Sequence, residues 1–255
     1  MIKNAKNKKA VKAFALLCCL GSLNTSEALT THLHPVISLG GGIAATSNVG
    51  NSIHFPIVNT ASDEFYNYTA SHSTQENAFY DIFIGNEWRL NSSLGLQAGV
   101  DYNQIHTFKA AGTLLQGIDI PSADQYSYHF RLLSRQLLAE GKFFYSLNDR
   151  FYPYFLLGLG VAFNKSYDFQ TSVPPFLTFT RQYSNHMKQA FSYLAGVGID
   201  IAITPHWRAG VAYRFTDLGK VSLGPASING IPVSGTLSQT HFYVNEAMAQ
   251  LSWIY

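Results

Sequence analysis

The sequence predicts an all-β fold, an eight-stranded antiparallel up-and-down transmembrane β-barrel, and three observations carry that expectation. After residue 28 no apolar run approaches the about 20 residues that a membrane-crossing helix requires. Several segments instead alternate apolar with small or polar residues at a period of two. The connections between those segments are alternately short and long. Composition agrees: 20 Gly, 15 Tyr and 18 Phe with only 13% charged residues suit a wall in which alternate residues face hydrocarbon.

The chain opens with Lys3, Lys6, Lys8, Lys9 and Lys12, an apolar run from Val11 to Leu20, and a polar stretch at Ser22 to Glu27. That layout predicts a secretory signal over 1–28, with small Ser26 and Ala28 before a cut after Ala28, and a barrel domain over 29–255. Cys18 and Cys19 both fall within the leader, so the mature protein has no thiol; Leu17 before Cys18 argues against acylation there. Without the leader's five lysines and Glu27 the net charge is −2 with histidine neutral, and no basic stretch suggests a nucleic-acid partner.

The first expected strand, Val36 to Ala44, is glycine-rich. In the second, Tyr80, Ile82, Ile84 and Trp88 oppose Asp81, Gly85, Glu87 and Arg89. In the third, Leu94, Leu96, Ala98, Val100 and Tyr102 oppose Gly95, Gln97, Gly99, Asp101 and Asn103. The fourth, Tyr126 to Tyr145, changes phase: Tyr128, Phe130 and Leu132 are apolar at even positions, Leu137, Ala139 and Phe143 at odd ones. A β-bulge near Ser134 to Gln136 would keep one continuous outer face. The fifth sets Phe155, Leu157, Leu159, Val161 and Phe163 against Gly158, Gly160, Ala162 and Asn164. In the sixth, Phe191 to Ile203, the inner series Ser192, Gly196, Gly198, Asp200 and Ala202 is interrupted only by Leu194. The seventh is the clearest, with Trp207, Ala209, Val211, Tyr213 and Phe215 opposite Arg208, Gly210, Ala212, Arg214 and Thr216. The eighth runs to the end, with Tyr243, Ala247, Ala249, Leu251, Trp253 and Tyr255 opposite Glu246, Met248, Gln250 and Ser252.

Asn91–Ser93, Leu147–Arg150 and Thr204–His206 read as tight turns, and 45–77, 107–124, 165–186 and 218–238 as long loops. Short turns at one rim and long loops at the other are the habit of outer-membrane barrels. Hydrocarbon satisfies no backbone N–H or C=O, so the sheet has to close. Two aromatic belts are expected: Trp88, Phe151, Tyr152, Trp207, Trp253 and Tyr255 near the turns, and Tyr102, Tyr213, Phe215 and Tyr243 near the loops.

Three stretches resemble the small outer-membrane β-barrel superfamily that includes the barrel domains of outer-membrane proteins A and X. They are Tyr152-Pro-Tyr-Phe-Leu-Leu-Gly-Leu-Gly-Val-Ala-Phe163, Ala195-Gly-Val-Gly-Ile-Asp200 continuing into Trp207-Arg-Ala-Gly-Val-Ala-Tyr-Arg-Phe215, and the aromatic end Leu251-Ser-Trp-Ile-Tyr255. The resemblance implies export to the outer membrane of a Gram-negative bacterium. It also implies contact with outer-membrane lipid and lipopolysaccharide, and recognition of the terminal strand by the outer-membrane assembly machinery, which most often meets Phe where this chain has Tyr255.

An interior of eight strands is just wide enough to be filled by side chains. Glu87, Asp101, Glu140, Asp200 and Glu246 are expected to point inward with Arg89, Arg131, Lys142, Arg208 and Arg214, five of each sign. Such a set either selects ions in a lumen or forms a self-neutralising plug; the narrow interior favours the plug.

A hydrolase requires a nucleophile, a base and an orienting acid that converge. Ser71-His72-Ser73 falls in a polar loop, and His129 and His241 fall near strand ends, where they read as interface residues. His32 and His34 read as a disordered lead-in rather than a copper or zinc site. No catalytic, cofactor-binding or metal-ligating residue is assigned, and no cofactor is expected.

The expected function is therefore that of a non-enzymatic barrel, structural or in contact with an extracellular macromolecule through its long loops. A small porin-like pore and a lipid A modifying enzyme are the alternatives. Two loop segments stand out: Val173-Pro-Pro-Phe-Leu-Thr-Phe179, apolar and at risk of exposure, and Asn229-Gly230 between Ile228 and Ile231, a hairpin signal.

Overall fold

The computed structural model describes residues 33–46, 65–71, 74–117, 123–175, 177 and 180–255; the expected signal peptide, 1–28, lies outside them. Eight long strands form the wall: β1 His34–Thr46, β2 Gln75–Arg89, β3 Leu94–Gly117, β4 Asp124–Tyr145, β5 Phe151–Thr171, β6 His186–Ala202, β7 Trp207–Asp217 and β8 Tyr243–Ile254. Each pairs antiparallel with the next, and β8 pairs with β1 from Val36↔Ile254 to Ala45↔Asn245, which closes the ring. Tyr255 N–H donates to the Pro35 carbonyl at 3.0 Å, so the described chain starts and ends at the same rim. His34 is not a loose lead-in: it begins β1, and its Nδ1 lies 2.7 Å from the Tyr255 carbonyl oxygen. His32 lies outside the described residues.

All three tight turns occur where the sequence places them. Asn91 accepts from Leu94 N–H at 2.6 Å, and the Thr204 hydroxyl accepts from Trp207 N–H at 3.0 Å. In the third, Asn148 and Asp149 take φ of 53° and 52°, the left-handed region that short polar side chains tolerate. At the other rim the wall is uneven. Strands β3, β4 and β5 have 24, 22 and 21 residues, about twice the 9–11 that a bilayer requires, whereas β1, β7 and β8 have 13, 11 and 12. Much of the sequence expected as loops 107–124 and 165–186 is therefore strand, a raised wall on one side of the mouth.

The change of phase in β4 has a cause other than a bulge at Ser134–Gln136. Buried residues stay at even positions through Leu132, Ser134, Gln136, Leu138, Glu140 and Lys142. The apolar residues Tyr128 and Leu132 lie inside the mouth, whereas Ala139 and Phe143, at odd positions, face out below. The irregularity is across the ladder on β3, where pairing passes from Ile105↔Ser134 to Phe108↔Leu132. A second lies on β5 beside Asp168, which has φ 59°. Leu194, the apolar intruder in β6, fills the notch left by a glycine: a Cβ on Gly158 would lie 2.9 Å from its Cγ.

The lipid-facing belt is apolar, with Leu39, Ile84, Leu159, Phe191, Val197 and Val211 each at least 58% exposed. The aromatic belts hold with one correction: Tyr152 is buried, because its ring turns inward under Arg208, 4.1 Å from the guanidinium carbon.

Candidate functional site

Two interiors are candidates, the barrel lumen and the cap built by the loops above it. In the lumen, Glu87 accepts from Arg208 at 2.6 and 3.0 Å in a two-pronged pair, and also from Gln97 at 2.8 Å, with Arg89 at 3.2 Å. Lys142 pairs with Asp200 at 3.3 Å and lies 4.3 Å from the centre of the Tyr154 ring. Gln250 donates to the same Asp200 at 2.7 Å. Arg214, 1% exposed, holds Glu246 at 2.8 Å and Asp81 at 3.1 Å.

The expected balance of five and five is corrected in two places. Asp81 is a sixth inward carboxylate that alternation places opposite Ile82. Arg131 faces outward, its side chain 55% exposed and paired with Asp168 at 3.1 Å. Among the described residues, both Asp101 oxygens and Oε2 of Glu140 are buried without a hydrogen-bond partner. Above the charges Phe79, Ile105, Phe108, Leu132, Leu218 and Phe242 fill the mouth, Phe108 and Phe242 edge to face at 5.5 Å. Asn164 donates to the carbonyls of Leu218 and Lys220 at 2.8 and 3.1 Å, which draws the segment after β7 across the opening.

The cap has a different interior. Phe65–Ala70 adds a short strand to the upper part of β3, from Phe65↔Gly117 to Ala70↔Gly112. A three-stranded sheet ties Gln182–Tyr183 to the hairpin Ala226–Ile228 and Ile231–Val233. That hairpin is the one expected at Asn229-Gly230, whose φ of 49° and 80° are those of the tight turn that Asn-Gly favours. Between these strands the rings of Tyr68 and Tyr128 meet edge to face at 5.3 Å, and Phe169 and Tyr183 at 4.9 Å. Arg181 is buried among them, 5.0 Å from the Tyr66 ring centre, and donates to the Ser234 carbonyl at 2.8 Å. Burial pushes the hydroxyl pKa values of Tyr68 and Tyr183 above the usual tyrosine range.

Of the apolar segment 173–179, Phe176, Thr178 and Phe179 lie outside the described residues. Val173, Pro174 and Leu177 line an open groove of about 270 Å³ that is bounded on its other side by Ser227, Asn229 and Gly230.

Of the histidines, His72 lies outside the described residues. His129 stays half-buried on β4. His241 gains a partner that the sequence did not suggest: its Nδ1 lies 2.7 Å from Oδ2 of Asp217, a carboxylate 3% exposed that also accepts from Gly219 N–H. Ser192 is close by, but its hydroxyl donates to the Asp217 carbonyl at 2.6 Å and not to the imidazole. The dyad joins residues 24 apart, brought together by the pairing of β7 with β8, Asp217↔Tyr243, and by Leu218 N–H donating to the Phe242 carbonyl at 2.9 Å.

A closed antiparallel ring, apolar and belted outside and charged within, defines an integral membrane β-barrel. The family model described as outer membrane protein beta-barrel domain matches residues 15–245, and the chain belongs to that family and to the outer membrane. Among curated proteins, none matches its sequence. Solved structures similar to it include Neisserial surface protein A, at 14% identity over 87% of this chain and 97% of that one, TM-score 0.45. OprG from Pseudomonas aeruginosa is similar at 13% identity over 89% and 99%, TM-score 0.43. The outer membrane protease OmpT from Escherichia coli is similar at 11% identity over 91% and 100%, TM-score 0.45. Identities this low transfer no activity.

Proposed function

We propose that the protein is a non-enzymatic surface barrel whose cap engages an extracellular macromolecule and whose lumen is a plug. The observation that carries this reading is the cap itself. Two distant loops are stitched into one sheet over an aromatic core, leaving a groove open to the medium between Val173, Pro174, Pro175 and Leu177 on one side and Ser227, Asn229 and Gly230 on the other. A wall alone would not require such a structure. Loops held on a rigid scaffold are where binding functions concentrate. Residues 1–28 serve in this account as a signal cleaved after Ala28, so that mature protein begins at Leu29.

The test replaces residues 173–179 with a Gly/Ser linker. Outer-membrane assembly, read from heat-modifiable migration, should be intact, while attachment of cells or purified protein to extracellular matrix and host-cell surfaces should be abolished. Unchanged attachment by an assembled variant would leave a structural envelope role as the better account. The enzymatic alternative has one observation on its side, the His241–Asp217 dyad. It would require a nucleophile on the free side of the imidazole; Ser192, the nearby hydroxyl described above, is engaged elsewhere.

A further inference from the structure

We propose that the lumen holds one hard divalent cation of the calcium class, ligated by the carboxylates of Asp101 and Glu140 with the side-chain oxygens of Asn103 and Gln136. Such an ion would complete the plug proposed above, and it is tested by ion binding rather than by conductance, so that either reading can fail alone.

The charges of the lumen do not balance. Six inward carboxylates, Asp81, Glu87, Asp101, Glu140, Asp200 and Glu246, share four cations, Arg89, Lys142, Arg208 and Arg214. Arg89 and Arg208 are both engaged by Glu87, Lys142 by Asp200, and Arg214 by Glu246 and Asp81. Asp101 and Glu140 are left over, 0% and 7% exposed. A carboxylate buried this far from water is unfavourable unless it is neutralised or meets a counter-charge.

The two amides beside this pair are orphaned on their oxygen side. Asn103 pairs with Gln136 across β3 and β4, Asp101 with Leu138, and Gly99 with Glu140, so Asp101 is diagonal to both Gln136 and Glu140. Diagonal positions lie about 7–8 Å apart, a gap that long side chains close. Asn103 Nδ2 lies 3.4 Å from each Glu246 oxygen, and Gln136 donates to Ser192 Oγ at 2.6 Å. Neither amide gains by turning round: a carboxylate held by Arg214 only accepts, and the Ser192 hydroxyl already donates its proton to the Asp217 carbonyl. Among the described residues, both Asp101 oxygens, Glu140 Oε2, Asn103 Oδ1 and Gln136 Oε1 are thus buried acceptors with no donor.

The chemistry of that set selects its occupant. One proton shared between the carboxyls would satisfy two of these oxygens and remove one of the two charges. Water brings donors but no charge. A divalent cation neutralises both carboxylates and takes the amide oxygens as well. Calcium accepts about six to eight oxygens in flexible geometry, carboxylate, amide and water together, whereas magnesium demands a near-ideal octahedron. Among the described residues no group of three or more acidic, histidine or cysteine side chains is placed to hold a metal, so the amides and water supply the rest of the shell. Ligands that are oxygen throughout favour a hard ion over a soft one.

The experiment unfolds the full-length mature barrel in urea with chelator, refolds it into neutral detergent micelles, and titrates it with calcium chloride, bound ion being counted by native mass spectrometry. Wild type should take up one calcium per barrel, and its heat-modifiable band should persist to a higher temperature with calcium than with chelator. D101N/E140Q removes both charges while keeping the shapes; it should bind at least about tenfold more weakly and show no calcium-dependent shift. E76Q, at an exposed carboxylate, should bind as wild type does. Magnesium should bind more weakly than calcium. Absence of bound calcium in folded wild type would overturn the proposal, and so would equal uptake by folded D101N/E140Q. A wild-type transition that ignores calcium but rises as the pH falls would assign the pair to a shared proton instead.

Discussion

The lumen and the cap are both packed interiors of one chain, yet they are filled by opposite chemistry. In the lumen Glu87, Asp200, Glu246 and Asp81 are held by Arg208, Lys142 and Arg214. In the cap Tyr68, Tyr128, Tyr183 and Phe169 pack ring on ring, and the buried Arg181 rests on Tyr66. The surrounding medium explains the difference. Around the barrel the outside is hydrocarbon, so apolar side chains gain nothing by turning inward, and alternation leaves polar groups to fill the core. Around the cap the outside is water, and the ordinary gain from burying aromatic surface returns. Polar pairing holds the first interior; apolar burial holds the second.

The largest expected effect comes from breaking the lumen's most shared cation. Arg214→Met leaves Glu246 and Asp81 buried without compensation and should destabilise the barrel by about 3–5 kcal/mol, seen as a lower temperature for loss of the heat-modifiable band. Adding Glu246→Gln and Asp81→Asn should recover much of that loss. An unshifted transition in Arg214→Met would show that the pairs are incidental.

Tyr68→Ala should cost the cap a comparable about 3–5 kcal/mol, but locally. Protease should then cut the segments 173–185 and 223–238 while the barrel's melting temperature stays near wild type. A global shift would mean that cap and lumen are one cooperative unit and would dissolve the contrast. Smaller again is Gly230→Ala at φ 80°, about 1–2 kcal/mol from forcing a side chain into the left-handed region. It should loosen the 226–233 hairpin, measured by hydrogen exchange at Ile228 and Ile231, and leave the wall protected.

How much of this the sequence revealed divides along the same line. The wall was legible because a period of two is written into each strand, and the turns at Asn91, Asn148 and Thr204 carry their own short-range chemistry. Arg131 was misplaced because the apolar residues Tyr128 and Leu132, which mark the outer face lower in β4, mark the inner face where the strand rises above the membrane. The rule reverses at the mouth, and no residue announces the height at which it does. Asp81, by contrast, is legible in the alternation of β2, where it opposes Ile82. His241 with Asp217, and Arg181 on Tyr66, depend on contacts between segments 24 and more than 100 residues apart, which spacing in one sequence does not encode. The hairpin at Asn229-Gly230 is the exception in the cap, since its turn is local.

The claim that the lumen is closed by its own ion pairs is tested most directly by planar-bilayer recordings on purified monomer. The lumen described here predicts no stable conductance from wild-type protein. Large, reproducible, ion-selective channels from that same preparation would contradict it, and would make the carboxylates around Arg214 the lining of a pore.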